Sequence, residues 1–217
     1  MKHLVFIVSV VLLAVFSSCS SQDKTIANLK AAIDGEATAA EKYAAWAEKA
    51  GEEHNYSVQA LFRAAVRAET IHLNNHQKVL AALGVKNYEP NEGTYSVLTT
   101  AQNLKEAING ETYEAAQMYP KFIKDAQDEG VKDAVKSFDF AQKAEQSHAF
   151  LYKRALGNIT TPSNIPLIYF VCPECGFMYA DKVPVKCEVC GVPGSKFIKV
   201  EGNLPVDVVT SASTRAV

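Results

Sequence analysis

The chain shows no excess of charge of one sign. Its 22 Lys and Arg face 24 Asp and Glu, a formal net charge of −2 over 217 residues. Proteins that hold nucleic acid or lie on an anionic membrane concentrate positive charge, so this balance argues against both. An apolar run that spans a bilayer comfortably takes roughly 20 residues. The run from Leu4 to Phe16 has 13, broken by Ser9, and is too short. Cysteine is scarce as well. Of five, four stand as two Cys-x-x-Cys pairs near the C-terminus and Cys19 stands alone, so no disulfide framework ties the body of the chain together.

The short apolar run has another use. It follows a basic start, Met1-Lys2-His3, and precedes small residues, the pattern of a secretory signal. Phe16-Ser17-Ser18-Cys19 resembles the end of a bacterial lipoprotein signal, in which the cysteine becomes the lipidated first residue. The expectation is a signal peptide over 1–18 and an exported protein of the cell envelope or periplasm. Its membrane contact would be only the lipid anchor at Cys19. Ordinary cleavage into the periplasm without lipid is the alternative.

What the chain does contain is a duplication. Leu29, Ile33, Gly35 and Glu36 recur as Leu104, Ile108, Gly110 and Glu111, at an offset of 75. Phe62, Glu69 and His72 recur as Phe138, Glu145 and His148, at an offset of 76. Each copy therefore carries one Glu, then Glu-x-x-His. Residues three apart on a helix share a face, so each Glu-x-x-His aims a carboxylate and an imidazole at one point. A Glu from each of two helices with Glu-x-x-His from each of the other two is the ligand set of a di-iron carboxylate four-helix bundle. The competing reading is two solvated charged faces on a duplicated hairpin.

Helical periodicity predicts helices over about 25–50, 55–83, 100–126 and 131–156. Phe62, Val66 and Leu73 are core candidates on the second. His76, flanked by Asn74, Asn75 and Gln77, is expected at the surface. Gly35 and Gly110 suggest a close helix–helix approach beside the metal, since a mid-helix Gly otherwise costs up to about 1 kcal/mol. Thr99 or Thr100 can cap the third helix, and Pro120 should kink it or end its regular part. The long connection over 85–100 implies a crossover between non-adjacent ends, as in ferritin-like bundles. Five glutamates would converge: Glu36, Glu69, Glu111, Glu114 and Glu145. So many buried carboxylates would repel and take up protons unless cations were present. Carboxylate with imidazole suits iron or manganese better than structural zinc. Glu114 has Ala39 at its repeat position, so it is surplus to the duplicated set and offers one metal an alternative ligand.

Cys172-Pro-Glu-Cys175-Gly and Cys187-Glu-Val-Cys190-Gly lie eleven residues apart within a segment, Ile168 to Glu201, that reads as short strands around two turns. Four thiolates at this spacing point to one tetrahedral iron or zinc site, with two disulfides as the alternative. Tyr169, Phe170, Phe177, Tyr179 and Phe197 are expected to form the small aromatic core such a module needs. The domain reading is a bundle over 24–157, a linker over 158–167, a cysteine module over 168–203 and a tail over 204–217.

With these motifs in place, the chain resembles rubrerythrin over about residues 25–200. The resemblance implies a mainly α fold: a ferritin-like four-helix bundle with a small C-terminal rubredoxin-like domain. Glu69 and Glu145 would bridge two irons. Glu36 and Glu111 would be terminal ligands and His148 would hold the second iron. His72 and Glu114 would be alternative ligands of the first, exchanged with redox state, with Tyr43 and Tyr119 lining the site. Cys172, Cys175, Cys187 and Cys190 would hold a rubredoxin-type iron that relays electrons, zinc being the alternative. The implied activity is an oxidoreductase reducing hydrogen peroxide to water in oxidative-stress protection. The implied assembly is a homodimer, in which the module of one subunit lies near the di-iron site of the other. The electron donor, a reductase or small redox protein, is unidentified. The chain departs from the best-known members in two ways: its knuckle spacing is one residue shorter, and it carries an export signal. A ferroxidase or iron-handling protein and a zinc-stabilised, non-catalytic interaction module are the competing functions.

Overall fold

The computed structural model describes residues 22–202, so the signal segment, Cys19 and the C-terminal tail lie outside the described residues. Helix α1 spans Asp23–Glu52 and α2 spans Tyr56–Ala82. Gly51 does not end α1; the helix runs one residue beyond it, and the turn is made at His54, whose φ is 60°. The connection to the third helix is fastened along α1. The Tyr88 hydroxyl and the Asn91 N–H both donate to Asp34, and Trp46 Nε1–H donates to the Ser96 carbonyl at 2.8 Å. Thr99 then caps α3, Thr100–Tyr113, its side chain accepting from the Gln102 N–H while Gln102 reaches back.

The third helix is interrupted where the sequence put a proline. A π-helical segment, Glu114–Met118, separates α3 from α4, Tyr119–Asp128, and Pro120 lies in the first turn of α4, where its missing N–H costs least. The segment also explains the change of repeat offset. Glu36 to Glu111 is 75 residues, whereas Tyr43 to Tyr119 is 76. One residue has been added between them, and a π turn is how a helix absorbs one extra residue without losing register on either side.

Helix α5, Lys132–Gly157, completes the bundle. Two aromatic quartets close its interior, one on either side of the site. Tyr43, Trp46, Phe62 and Tyr152 are packed with ring centroids 5.5–5.8 Å apart. Their repeat counterparts Tyr119, Phe122, Phe138 and His76 form the other, at 5.2–6.2 Å. Phe62 is fully buried as expected, while Val66 and Leu73 sit half-buried at the edges of these clusters. Gly35 and Gly110 do not mark a close approach, because a Cβ at either would meet nothing within 4 Å; the duplication itself accounts for finding both.

The C-terminal module is a three-stranded antiparallel sheet in the order β2-β1-β3, with β1 at Ile168–Val171, β2 at Met178–Ala180 and β3 at Ile198–Glu201. Phe170 stands opposite Tyr179 on one side and Lys199 on the other. The aromatic residues do not all serve one core. Phe177, Tyr179 and Phe197 stack beside the cysteines at 4.9 and 5.4 Å. Tyr169 faces the other way and, with Val171 and Met178, is buried against the bundle. The strand alternates, so one face covers the metal-binding turns and the other docks onto the helices.

Candidate metal centres

The two Glu-x-x-His pairs meet in the bundle interior. His72 Nδ1 lies 2.9 Å from Glu145 Oε1, 3.0 Å from Glu69 Oε2 and 3.6 Å from Glu36 Oε1. His148 Nδ1 lies 2.6 Å from Glu145 Oε2, 3.4 Å from Glu69 Oε1 and 3.5 Å from Glu111 Oε2. Glu69 and Glu145 thus turn one oxygen toward each histidine, while Glu36 and Glu111 each serve one side. Two ligand groups result, Glu36–Glu69–His72–Glu145 and Glu69–Glu111–Glu145–His148, all buried, with donor atoms within 4.8 Å of one another.

The donor set fits two cations. Both oxygens of Glu69 and of Glu145, Oε2 of Glu111 and Nδ1 of both histidines are buried and make no hydrogen bond. Buried polar atoms are rarely left so. Seven in one place, all of ligating type, are what a pair of hard metal ions would satisfy. In the metal-free chain, burial pushes Glu36 and Glu145 above the usual carboxylate range. Burial acts the same way on Glu69, but His148 and His72 outweigh it and hold that carboxyl down to about 2. Burial would lower both histidines; Glu145 prevails over it and raises them well above the ordinary imidazole value, helped by Glu36 at His72 and by Glu69 at His148.

Glu114 stands apart. It is half-buried at the start of the π segment and belongs to neither ligand group, so the structure has His72, not Glu114, turned into the site. Burial and the neighbouring Glu36 and Glu111 push its carboxyl well up. Tyr43 and Tyr119 are both fully placed: the Tyr43 hydroxyl donates to Glu111, and the Tyr119 hydroxyl donates to Glu36. Each terminal carboxylate is therefore oriented by one tyrosine.

His76, expected at the surface, is completely buried. Its Nε2 lies 3.2 Å from the Tyr119 hydroxyl and its Nδ1 lies 2.8 Å from Ser137 Oγ. Burial, reinforced by His72, pushes its pKa down to about 3, so the ring is neutral. Its polar sequence neighbours misled, because Asn74, Asn75 and Gln77 face other directions of the same helix. The repeat would have revealed it: 76 residues on stands Tyr152, a core aromatic.

The four module cysteines converge through two matching turns. Gly176 N–H donates to the Cys172 carbonyl and Gly191 N–H to the Cys187 carbonyl, each at 3.0 Å. Both glycines have positive φ, 75° and 78°, which a side chain would oppose. The Sγ atoms of Cys172 and Cys190 are 3.3 Å apart and those of Cys175 and Cys187 are 3.6 Å apart. A disulfide needs about 2.05 Å, whereas sulfurs tetrahedral around a metal at about 2.3 Å stand roughly 3.8 Å apart. The disulfide alternative fails, and a four-thiolate metal site fits. Hydrogen bonding from Cys175 above all brings the Cys172 thiol down to about 5.

The module rests on the bundle of its own chain. The linker folds back and buries Ile165 in the bundle core. The first cysteine turn then reaches both histidines: His72 Nε2 lies 3.1 Å from the Cys175 carbonyl and His148 Nε2 lies 3.3 Å from the Gly176 carbonyl. Asn75 donates to the Glu174 carbonyl and Ser147 to the Met178 carbonyl, both at 2.8 Å.

Comparison with known proteins agrees with this geometry. The rubrerythrin family profile matches residues 27–156. The chain belongs to the rubrerythrin family. Nigerythrin of Nitratidesulfovibrio vulgaris is 36% identical over 183 residues, covering 84% of this chain and 90% of nigerythrin. Rubrerythrin-2 of Clostridium acetobutylicum is 32% identical over 170 residues, covering 78% of this chain and 92% of its own length. A solved structure of mixed-valence nigerythrin superposes with a TM-score of 0.76 at 36% identity, over 85% of this chain and 90% of that one. The protein is thus a ferritin-like bundle with a rubredoxin-like knuckle module, whose residues fit a di-iron centre and an Fe(Cys)4 centre. It is an oxidative-stress protein of the oxidoreductase class.

Proposed function

We propose that this protein reduces hydrogen peroxide to water at the bundle site, with electrons relayed from the cysteine module. The observation that carries this reading is the pair of short contacts from the Cys175 and Gly176 carbonyls to His72 and His148. One turn holds two of the four thiolates and touches both metal-facing imidazoles. Storing or oxidising iron would need no such connection. The reduced, all-ferrous nigerythrin structure, at 36% identity, supports iron in both roles.

Two irons supply two electrons together to one O–O bond when bound. The balance is one peroxide, two electrons and two protons giving two waters. Glu69 and Glu145 would serve both ions, since each turns one oxygen toward each side. Glu36 and Glu111 are terminal, held by Tyr119 and Tyr43. His148 would hold the second ion. His72, which lies with the first ligand group, would hold the first, and Glu114 is proposed as its alternative ligand. The aromatic quartets on either side keep bulk water from the carboxylates. Signal cleavage before Cys19, lipidation there, a homodimer and a place in the cell envelope complete the proposal. They rest on the sequence pattern and the family resemblance.

The test uses iron-loaded holoprotein, reduced without air and mixed with less than stoichiometric peroxide, or with oxygen in parallel. The iron–thiolate colour should return in step with peroxide added, and faster than with oxygen. Faster reaction with oxygen, with ferric product accumulating, would replace this reading with iron handling.

A further inference from the structure

The two halves of the duplicated bundle differ in one polar connection. On the Glu111 side, the chain of contacts runs Glu111–Tyr43 and then meets Tyr152 and the apolar Leu61. On the Glu36 side, the positions equivalent to Tyr152 and Leu61 hold His76 and Ser137. There the contacts continue: Glu36, Tyr119, His76 and Ser137 are joined in sequence by hydrogen bonds. Ser137 in turn lines an open surface pocket of about 250 Å³, with Asn75, Lys78, Asp133, Lys136 and Glu174 among its walls. The duplication is broken at the two residues that carry a polar path from the buried carboxylates to solvent.

Donor bookkeeping gives this path a direction. The Tyr119 hydroxyl spends its one proton on Glu36. Its oxygen can then only accept from His76, so Nε2 of that neutral ring carries the hydrogen. Nδ1 is left as acceptor, and Ser137 donates to it. All three donors point inward, from the pocket toward Glu36.

We propose that Ser137, His76 and Tyr119 form the route by which protons enter the di-iron site from the pocket. This rests on the peroxidase reading for its demand, two protons for each peroxide. In one passage Ser137 gives its proton to Nδ1, Nε2 gives its proton to the Tyr119 oxygen, and Tyr119 releases its own toward the site. A hydronium or buffer acid in the pocket restores Ser137. No electron moves, and one proton leaves solvent for each one delivered. Rotation of the two hydroxyls and a swing of the ring reset the file. Ser137 and His76 act through Tyr119, so they are positioning and relay groups, not ligands.

The experiment compares the holoprotein with Ser137→Ala, and with Ser137→Thr, which keeps the hydroxyl. In steady-state peroxide reduction Ser137→Ala should lower kcat about tenfold with KM unchanged and raise the solvent deuterium isotope effect, and Ser137→Thr should restore both. A second readout does not use turnover: in zinc-loaded holoprotein, NMR follows exchange of the His76 ring proton with solvent. Ser137→Ala should slow that exchange about tenfold or more. If wild-type protein turns over no peroxide yet exchange slows in Ser137→Ala, the proton route stands and the peroxidase reading falls. Unchanged exchange in Ser137→Ala would overturn the route, even where activity is lost. So would unchanged kcat and isotope effect in a peroxide-active protein.

Discussion

Gly176 is the residue on which communication between the two centres turns. Its φ is +75°, and a Cβ there would sit 2.2 Å from His72 Nε2 and 3.2 Å from the Ala68 carbonyl. His72 is held among three carboxylates and cannot retreat. Gly176→Ala should therefore lift the first cysteine turn off the bundle, adding to a left-handed backbone cost of about 1–2 kcal/mol. The iron–thiolate spectrum should survive, while peroxide-driven reoxidation of that iron slows about tenfold, the factor that ~1.4 kcal/mol represents. Stopped-flow absorbance would show this; an unchanged rate would mean electrons take another path. Glu114 tests a different step. It lies outside both ligand groups, so Glu114→Ala should leave iron content intact. If Glu114 replaces His72 during the cycle, turnover should fall by about 10–100-fold, the usual cost of losing a group that tunes a metal site. Iron analysis alongside peroxide kinetics separates the two effects.

Among the elements, the π segment is the one whose geometry the site depends on. An α-helix turns about 100° per residue, and a π turn takes up one extra residue so that the turns on either side keep their directions. Deleting Ala116 would remove that residue and restore the 75-residue offset along the whole helix. Tyr119 would then follow Glu111 at the spacing by which Tyr43 follows Glu36, and would keep its hydroxyl on Glu36. Glu114, which begins the π segment, would lose the backbone that presents it. Iron bound by the bundle should stay at two per chain in metal analysis, while peroxide turnover falls by about 10–100-fold, as for Glu114→Ala. Turnover unchanged by the deletion would show the π segment to be a passive remnant of insertion. The extra residue was visible in the sequence as the change of offset between Glu36/Glu111 and Tyr43/Tyr119. Its form was not, because a one-residue insertion can be absorbed by a loop, a kink or a π turn, and only packing on both sides selects among them.

For the molecule as a whole, metal loading and proton release are linked. In the metal-free chain Glu36, Glu114 and Glu145 are raised by burial, and repulsion from neighbouring carboxylates, Glu69 among them, adds to it, while His72 and His148 are raised by the carboxylates around them. A group whose pKa is raised keeps its proton to higher pH, and a metal ion must displace that proton. Apparent iron affinity of the bundle should therefore fall as pH is lowered, and loading in weakly buffered solution should release protons. Affinity independent of pH near neutrality would show that the carboxylates are already ionised. The four-cysteine site should behave similarly, since burial and hydrogen bonding to Cys172 and Cys187 raise Cys190 to about 12.

Much of this protein is local and periodic, and that part the sequence determined by itself. The spacing of Glu69 and His72, repeated in Glu145 and His148, specifies one helix face whatever the helix packs against. The Cys-x-x-Cys-Gly turns are likewise self-contained, since the glycine after each pair supplies the positive φ its turn requires. Thr99 capped the third helix through contacts three residues long. The tertiary structure alone decided matters that depend on distant surfaces. Burial of His76 needed Tyr119 and Ser137, 43 and 61 residues away. Tyr169 left its own small core because the bundle offered a larger apolar face. The seating of Cys175 and Gly176 on His72 and His148 joins segments up to 103 residues apart. No periodicity encodes such a contact. It exists because the linker folds back and two faces, each incomplete alone, exclude water together.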